Sequence, residues 1–157
     1  RKESSAASDV YKRQSQDSRI KGIKESDRNE ELVQQLIAVT AHREDFAVIQ
    51  GSDRIFLKSF DWGCKAGVTV VGNVAPELPV RLYRAWADGR REEAQALQEN
   101  LLHYVQAITC LGRYPQEMKA ILAGRGMMKD IMTSPFVPLT DGEKKTVMAA
   151  WNELITI

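Results

Sequence analysis

The stretch RIKGIKES, residues 19–26, places Lys24 at the end of a short apolar run, just where a strand gives way to a helix. A primary amine attacks ketones, but a free lysine titrates near ~10.4 and is almost wholly ammonium at neutral pH. Burial disfavours the cation, so a lysine in the covered mouth of a sheet can supply an attacking amine that a solvated lysine cannot. Gly22 leaves room for another group to approach closely, and Ile20 and Ile23 read as cover on both faces of the strand. Taken by itself a strand lysine is ordinarily solvated or ion-paired, so the surrounding elements must decide its role.

Other residue types give weaker signals. In QGSD, residues 50–53, Ser52 and Asp53 sit at the end of a second apolar run. Either could contact a substrate or cap the helix that follows, and capping is the stronger reading for Asp53. His42 and His103 lie far apart on helical stretches, with no carboxylate or second histidine at ligand spacing. Cys64 and Cys110 form no CxxC pair, so neither a zinc site nor a disulfide framework is expected, and two free thiols fit a reducing cytoplasm. Trp62, Trp86 and Trp151 fall in amphipathic segments as core or interface anchors, and Met127 and Met128 as gap fillers.

These residues are positioned by an alternation of short apolar runs and amphipathic stretches, the sequence form of repeated strand-helix units. Three strands are expected: RIKGIK (19–24), DFAVIQG (45–51) and GVTVVGN (67–73). The first leads into a helix with Ser26 and Asp27 as N-caps and Leu32, Val33, Leu36 and Ile37 on its inner side. RIFLKSFDW follows the second strand with helical spacing, and the helix after the third has Pro76 near its first turn and Gly89 at its end. Beyond Gly89 only helices are expected: residues 91–111, a helix opening at YPQEMKAIL, and one opening with a Thr140 to Glu143 capping box. SPFVPLT, with Pro135 and Pro138, is an extended connector.

The chain has 157 residues, enough for one core, with 43% hydrophobic and 27% charged residues. That balance is too apolar for disorder. With 22 Lys and Arg against 21 Asp and Glu, the net charge of +1 provides no field to recruit nucleic acid or an anionic membrane. No run approaches the ~18 apolar residues of a membrane span. Residues 1–14, RKESSAASDVYKRQ, show neither helical nor strand periodicity and resemble translated adapter or vector sequence, a non-native leader, with a native disordered arm as the alternative. The expected organisation is that leader, strand-helix units over 15–88 that fit either a partial (β/α) barrel or a small open sheet, and a helical region over 89–157.

GIKES, QGSD, GVTVVGNVAPEL and YPQEMKAIL, in that order and followed by the PLT connector, resemble the dihydrodipicolinate synthase and N-acetylneuraminate lyase family from about Arg19 to the C terminus. The resemblance implies an α/β fold, the C-terminal part of a TIM (β/α)8 barrel (strands six to eight) followed by a helical region. It also implies a pyruvate-dependent class I aldolase chemistry, in which Lys24 is the Schiff-base nucleophile and no metal or other cofactor takes part. By the same resemblance Gly51 borders the substrate, the main-chain carbonyl of Thr69 points toward bound pyruvate, and Ser52 and Asp53 lie where a second substrate could be met. Family members often carry isoleucine and serine where this chain has Thr69 and Val70, so no side-chain role carries over there. Lys119 matches a family tail pattern, although an ion-paired helix lysine explains it equally well.

The implied partners are pyruvate or another 2-keto acid and an aldehyde, in a cytoplasmic homo-oligomer, a tetramer, with neither nucleic acid nor membrane. The implied preceding half would supply a threonine pair for pyruvate's carboxylate and a tyrosine that relays protons, so the chain alone is expected to be inactive. QGSDR leans toward a sugar-acid or broad aldolase branch. The alternative is a half-barrel that kept the fold but serves as a scaffold or interaction module.

Overall fold

The computed structural model describes residues 10–155. Of the expected leader, residues 1–9 lie outside the described residues, and residues 10–14 fall in α1, which is helical over 10–16. The remaining elements are β1 (Gly22–Glu25), α2 (Glu30–Thr40), β2 (Ala47–Gln50), α3 (Phe56–Trp62), β3 (Ala66–Gly67), α4 (Glu77–Ala87), α5 (Arg91–Ala107), α6 (Gln116–Gly124) and α7 (Asp141–Ile155). Short 3-10 turns precede α3 at Asp53–Ile55 and α4 at Val71–Asn73. The chain divides into two compact units at Thr69 and Val70, so α4 groups with the later helices.

In the first unit the three strands form one parallel sheet in the order β1-β2-β3. Gly22 pairs with Ala47 and Glu25 with Gln50, which sets the ends of β1 and β2 level. The absence of a side chain at Gly22 has a local cause, because a Cβ there would lie 2.6 Å from the Ala47 carbonyl oxygen. α2 turns Val33, Leu36 and Thr40 inward on a helical period, and Phe46, Val48, Ile55, Phe56 and Phe60 complete the buried apolar set. Phe56 and Phe60 meet edge to face with ring centroids 4.9 Å apart. α3 stops at Gly63, whose φ of 113° is left-handed; its N–H donates to the Phe60 carbonyl, and the Cys64 N–H donates to the Ser59 carbonyl.

Two local expectations change. Asn29 caps α2, its side chain accepting from the Leu32 N–H, so Ser26 and Asp27 do not fill that role. The third strand is much shorter than GVTVVGN: pairing covers Ala66 and Gly67, Val68 N still donates to the Gln50 carbonyl, and the chain then winds away. The β-branched run favours a strand by propensity, but turn hydrogen bonds prevail. Asn73 donates to the Val70 carbonyl from both its backbone and its side chain, and Val74 and Ala75 both donate to Val71.

The second unit is helical throughout. α4 packs on α5, α5 on α7 and α6 on α7, around Leu82, Ala85, Leu97, Leu101, Ile108, Ile121, Val147 and Trp151. Trp151 meets Tyr104 edge to face at 5.5 Å, as its core reading requires. Gly89, with φ 74°, ends α4 as expected. Thr140 N and Oγ1 both donate to Glu143 Oε2, and Glu143 N donates back to Thr140 Oγ1, which is the expected capping box. Met127 and Met128 do not fill gaps, being 63% and 40% exposed in the loop after α6. His42 and His103 are exposed.

Candidate active site

β1 delivers Lys24 to the sheet end, and its side chain is exposed. The Lys24 Nζ donates to Ser26 Oγ at 2.8 Å. Residues 24 and 26 share a side because extended backbone alternates with a period of two. The level ends of β1 and β2 bring Gly51 beside this pair. A Cβ at Gly51 would come closest to Ser26 Oγ, and would stand 2.8 Å from Lys24 Cε and 3.0 Å from Lys24 Nζ. Glycine at 51 therefore leaves the volume that the amine and the hydroxyl fill.

The backbone under this group is fixed on three sides. Gly51 N donates to the Glu25 carbonyl at 2.7 Å, which extends the β1–β2 ladder one residue past the strand. Glu25 is buried, and its Oε1 accepts from Asp27 N at 2.7 Å, which closes the turn around Ser26. Its Oε2 accepts from the Tyr11 hydroxyl at 3.2 Å. Buried Gln50 offers its Oε1 to Ser52 N at 2.7 Å and so fixes the next loop.

Of the residues singled out from sequence, Lys24 and Gly51 come together. Ser52 and Asp53 are both buried; Ser52 stands at the cap position of the 3-10 turn that Asp53 opens, and it makes no side-chain cap hydrogen bond. Thr69 follows the two paired residues of β3 and is half-buried. Ser26 and Gln50 are the residues that sequence reasoning missed. For Ser26 the available signal was its place two residues after Lys24 on an extended chain; for Gln50 it was a polar side chain ending an apolar run. Lys119 donates to the Ile131 carbonyl at 2.8 Å, the ordinary work of a helix lysine.

Both cysteines are free; Cys64 is buried, and burial pushes its thiol up, away from the reactive thiolate. Among the described residues no group of three or more His, Cys, Asp or Glu could hold a metal ion, and no helix is long and apolar enough to cross a membrane. The chemistry this end of the sheet offers is that of a primary amine beside a hydroxyl.

Comparison with known proteins gives the family and the fold. The model of the dihydrodipicolinate synthetase family matches residues 4–154. An uncharacterized DapA-like lyase of Halobacterium salinarum is 36% identical over 130 residues, which cover 83% of this chain and 41% of that protein. A 4-hydroxy-tetrahydrodipicolinate synthase of Methanothrix thermoacetophila is 34% identical over 133 residues, covering 85% of this chain and 44% of that protein. Among solved structures, a dihydrodipicolinate synthase from Bacteroides thetaiotaomicron superposes with a TM-score of 0.86 at 25% identity over 94% of this chain and 51% of that one. YagE of E. coli, solved in complex with pyruvate, superposes with a TM-score of 0.84 at 22% identity over 96% and 51%, a likeness of fold. The chain thus spans about half the length of the proteins it matches, and its parallel sheet with helices is the matching part of a TIM barrel.

Proposed function

The chain belongs to the dihydrodipicolinate synthetase family, and from that premise we propose that it supplies the nucleophile-bearing half of a pyruvate-dependent carbon-carbon lyase or synthase. Lys24 is the nucleophile. Its amine adds to the keto carbon of pyruvate, and loss of water leaves an iminium. The iminium draws electrons from the adjacent methyl carbon, which loses a proton to give an enamine. The enamine carbon then adds to an aldehyde, or the reverse sequence cleaves such a bond. The electron sink is the lysine imine itself, so the reaction calls on no metal.

One observation carries this reading: Lys24 stands next to the last residue of a parallel strand with its amine hydrogen-bonded to Ser26 at 2.8 Å, in a volume that only a glycine at 51 leaves open. Lys24 is exposed in this chain, whereas an attacking amine gains from desolvation. The first five strands of a barrel would close over the amine and bring the groups that hold pyruvate's carboxylate and move protons. On this account the 157-residue chain alone is inactive, Thr69 contributes its main-chain carbonyl, and Gly51 borders the substrate. Ser52 and Asp53, being buried, act first on the local fold. The complete protein works in the cytoplasm as a homotetramer.

The enamine step is directly observable. Pyruvate incubated in deuterium oxide with the full-length polypeptide should lose its methyl proton signal as the enamine forms and is reprotonated by solvent. A full-length protein that leaves that signal intact would instead be a scaffold built on the same fold.

A further inference from the structure

Ser26 stands at a helix approach where a serine usually caps, yet Asn29 performs the capping of α2. The Ser26 hydroxyl instead accepts from Lys24 Nζ at 2.8 Å. Its turn is clamped by Glu25, whose Oε1 accepts from Asp27 N, and the chain across from it is clamped by Gly51 N on the Glu25 carbonyl. Gly51 faces Ser26 Oγ, Lys24 Cε and Lys24 Nζ together, so the amine is confined between a hydroxyl and a bare backbone. A four-carbon lysine stem has many rotamers, and confining it removes the entropy that would otherwise be lost at the moment of attack.

We propose that Ser26 is the positioning residue for the Lys24 amine: its Oγ accepts one N–H and holds the nitrogen at the strand end, so that the lone pair is directed at an incoming keto carbon. The inference rests on Lys24 being the nucleophile. In the step it serves, the nitrogen lone pair forms the C–N bond and the carbonyl electron pair moves to oxygen. The nitrogen sheds a proton and the oxygen gains one, giving the carbinolamine. A proton taken from solvent lets that hydroxyl depart as water while the nitrogen lone pair forms the C=N bond of the protonated imine. Ser26 is neither consumed nor oxidised, and the N–H that survives on the protonated imine still has Oγ as its acceptor.

The test compares Ser26→Thr with Ser26→Val in the full-length polypeptide, because the two side chains have the same shape and only threonine keeps the hydroxyl. The readout is the rate at which borohydride traps pyruvate on Lys24, alongside the pyruvate concentration giving half the maximal rate. Ser26→Val should trap about tenfold more slowly at saturating pyruvate, as expected when a hydrogen bond and the orientation it imposes are lost. The half-maximal concentration should barely change, and Ser26→Thr should stay within about threefold of the unaltered protein. Equal rates for the Thr and Val variants, with Lys24 still labelled, would overturn the positioning role and leave the nucleophile in place. Absence of label on Lys24 in the unaltered protein would overturn the nucleophile and this inference together.

Discussion

Lys24 and Gly51 are complementary across two strands: a Cβ on residue 51 would stand 2.8 Å from Lys24 Cε and 3.0 Å from Nζ. Both atoms belong to the movable end of a flexible side chain, so Gly51→Ala should displace the amine more than it disturbs the fold. We expect a stability loss of at most about 1 kcal/mol by denaturant unfolding, but a fall of about tenfold or more in pyruvate trapping by the full-length protein. A large loss of stability would show that Gly51 serves the backbone and not the amine.

Gly67 predicts the opposite balance. A Cβ there would enter the ring of Phe56, with Cζ at 2.5 Å, and Phe56 is buried. A packed ring cannot swing aside, so Gly67→Ala should destabilise the protein by about 1–3 kcal/mol or more. Unfolding midpoints compared with those of Gly142→Ala, where a Cβ meets nothing within 4 Å, would check this.

Acid should loosen the C-terminal helix by a defined route. Hydrogen bonds from Thr140 N and Oγ1, and then one from Arg113 at 2.5 Å, lower the Glu143 carboxyl to about 2 from its ordinary 4.5. Because the folded value is depressed, this contribution is fully present above pH 4.5 and is lost as pH falls toward about 2. Glu143→Gln should therefore flatten the pH dependence of thermal unfolding across that window. An unchanged acid limb in Glu143→Gln would place the sensitivity in other carboxylates.

Among the described residues β1 and β3 each pair only with β2, so both outer strands present unpaired backbone groups. The 157-residue chain should self-associate in size exclusion, increasingly with concentration. A monodisperse monomer that unfolds cooperatively would show that these residues form a self-sufficient domain.

Much of this arrangement was legible in the residues. β1 and β2 could be placed because apolar runs of strand length end in Gly and polar residues, and α2 because Val33 and Leu36 recur on a helical period. The Thr140 to Glu143 box was readable because both partners of a capping box are local. The third strand was overextended, since β propensity in VTVV does not register that Asn73 turns the chain onto Val70. The pairing of Lys24 with Ser26 was hidden for a different reason. Serine before a helix reads as a cap, and only the placement of Asn29, with the bare backbone of Gly51 opposite, releases that hydroxyl for the amine.

The measurement that bears most directly on the central claim is borohydride trapping of pyruvate on the full-length polypeptide, followed by mapping of the modified peptide. The account predicts one pyruvate-derived mass on the peptide carrying Lys24. It also predicts that Lys24→Arg abolishes both label and turnover, because arginine keeps the charge but stays protonated and cannot act as the attacking amine. Label on Lys21 or Lys119 instead, or normal turnover by Lys24→Arg, would contradict it.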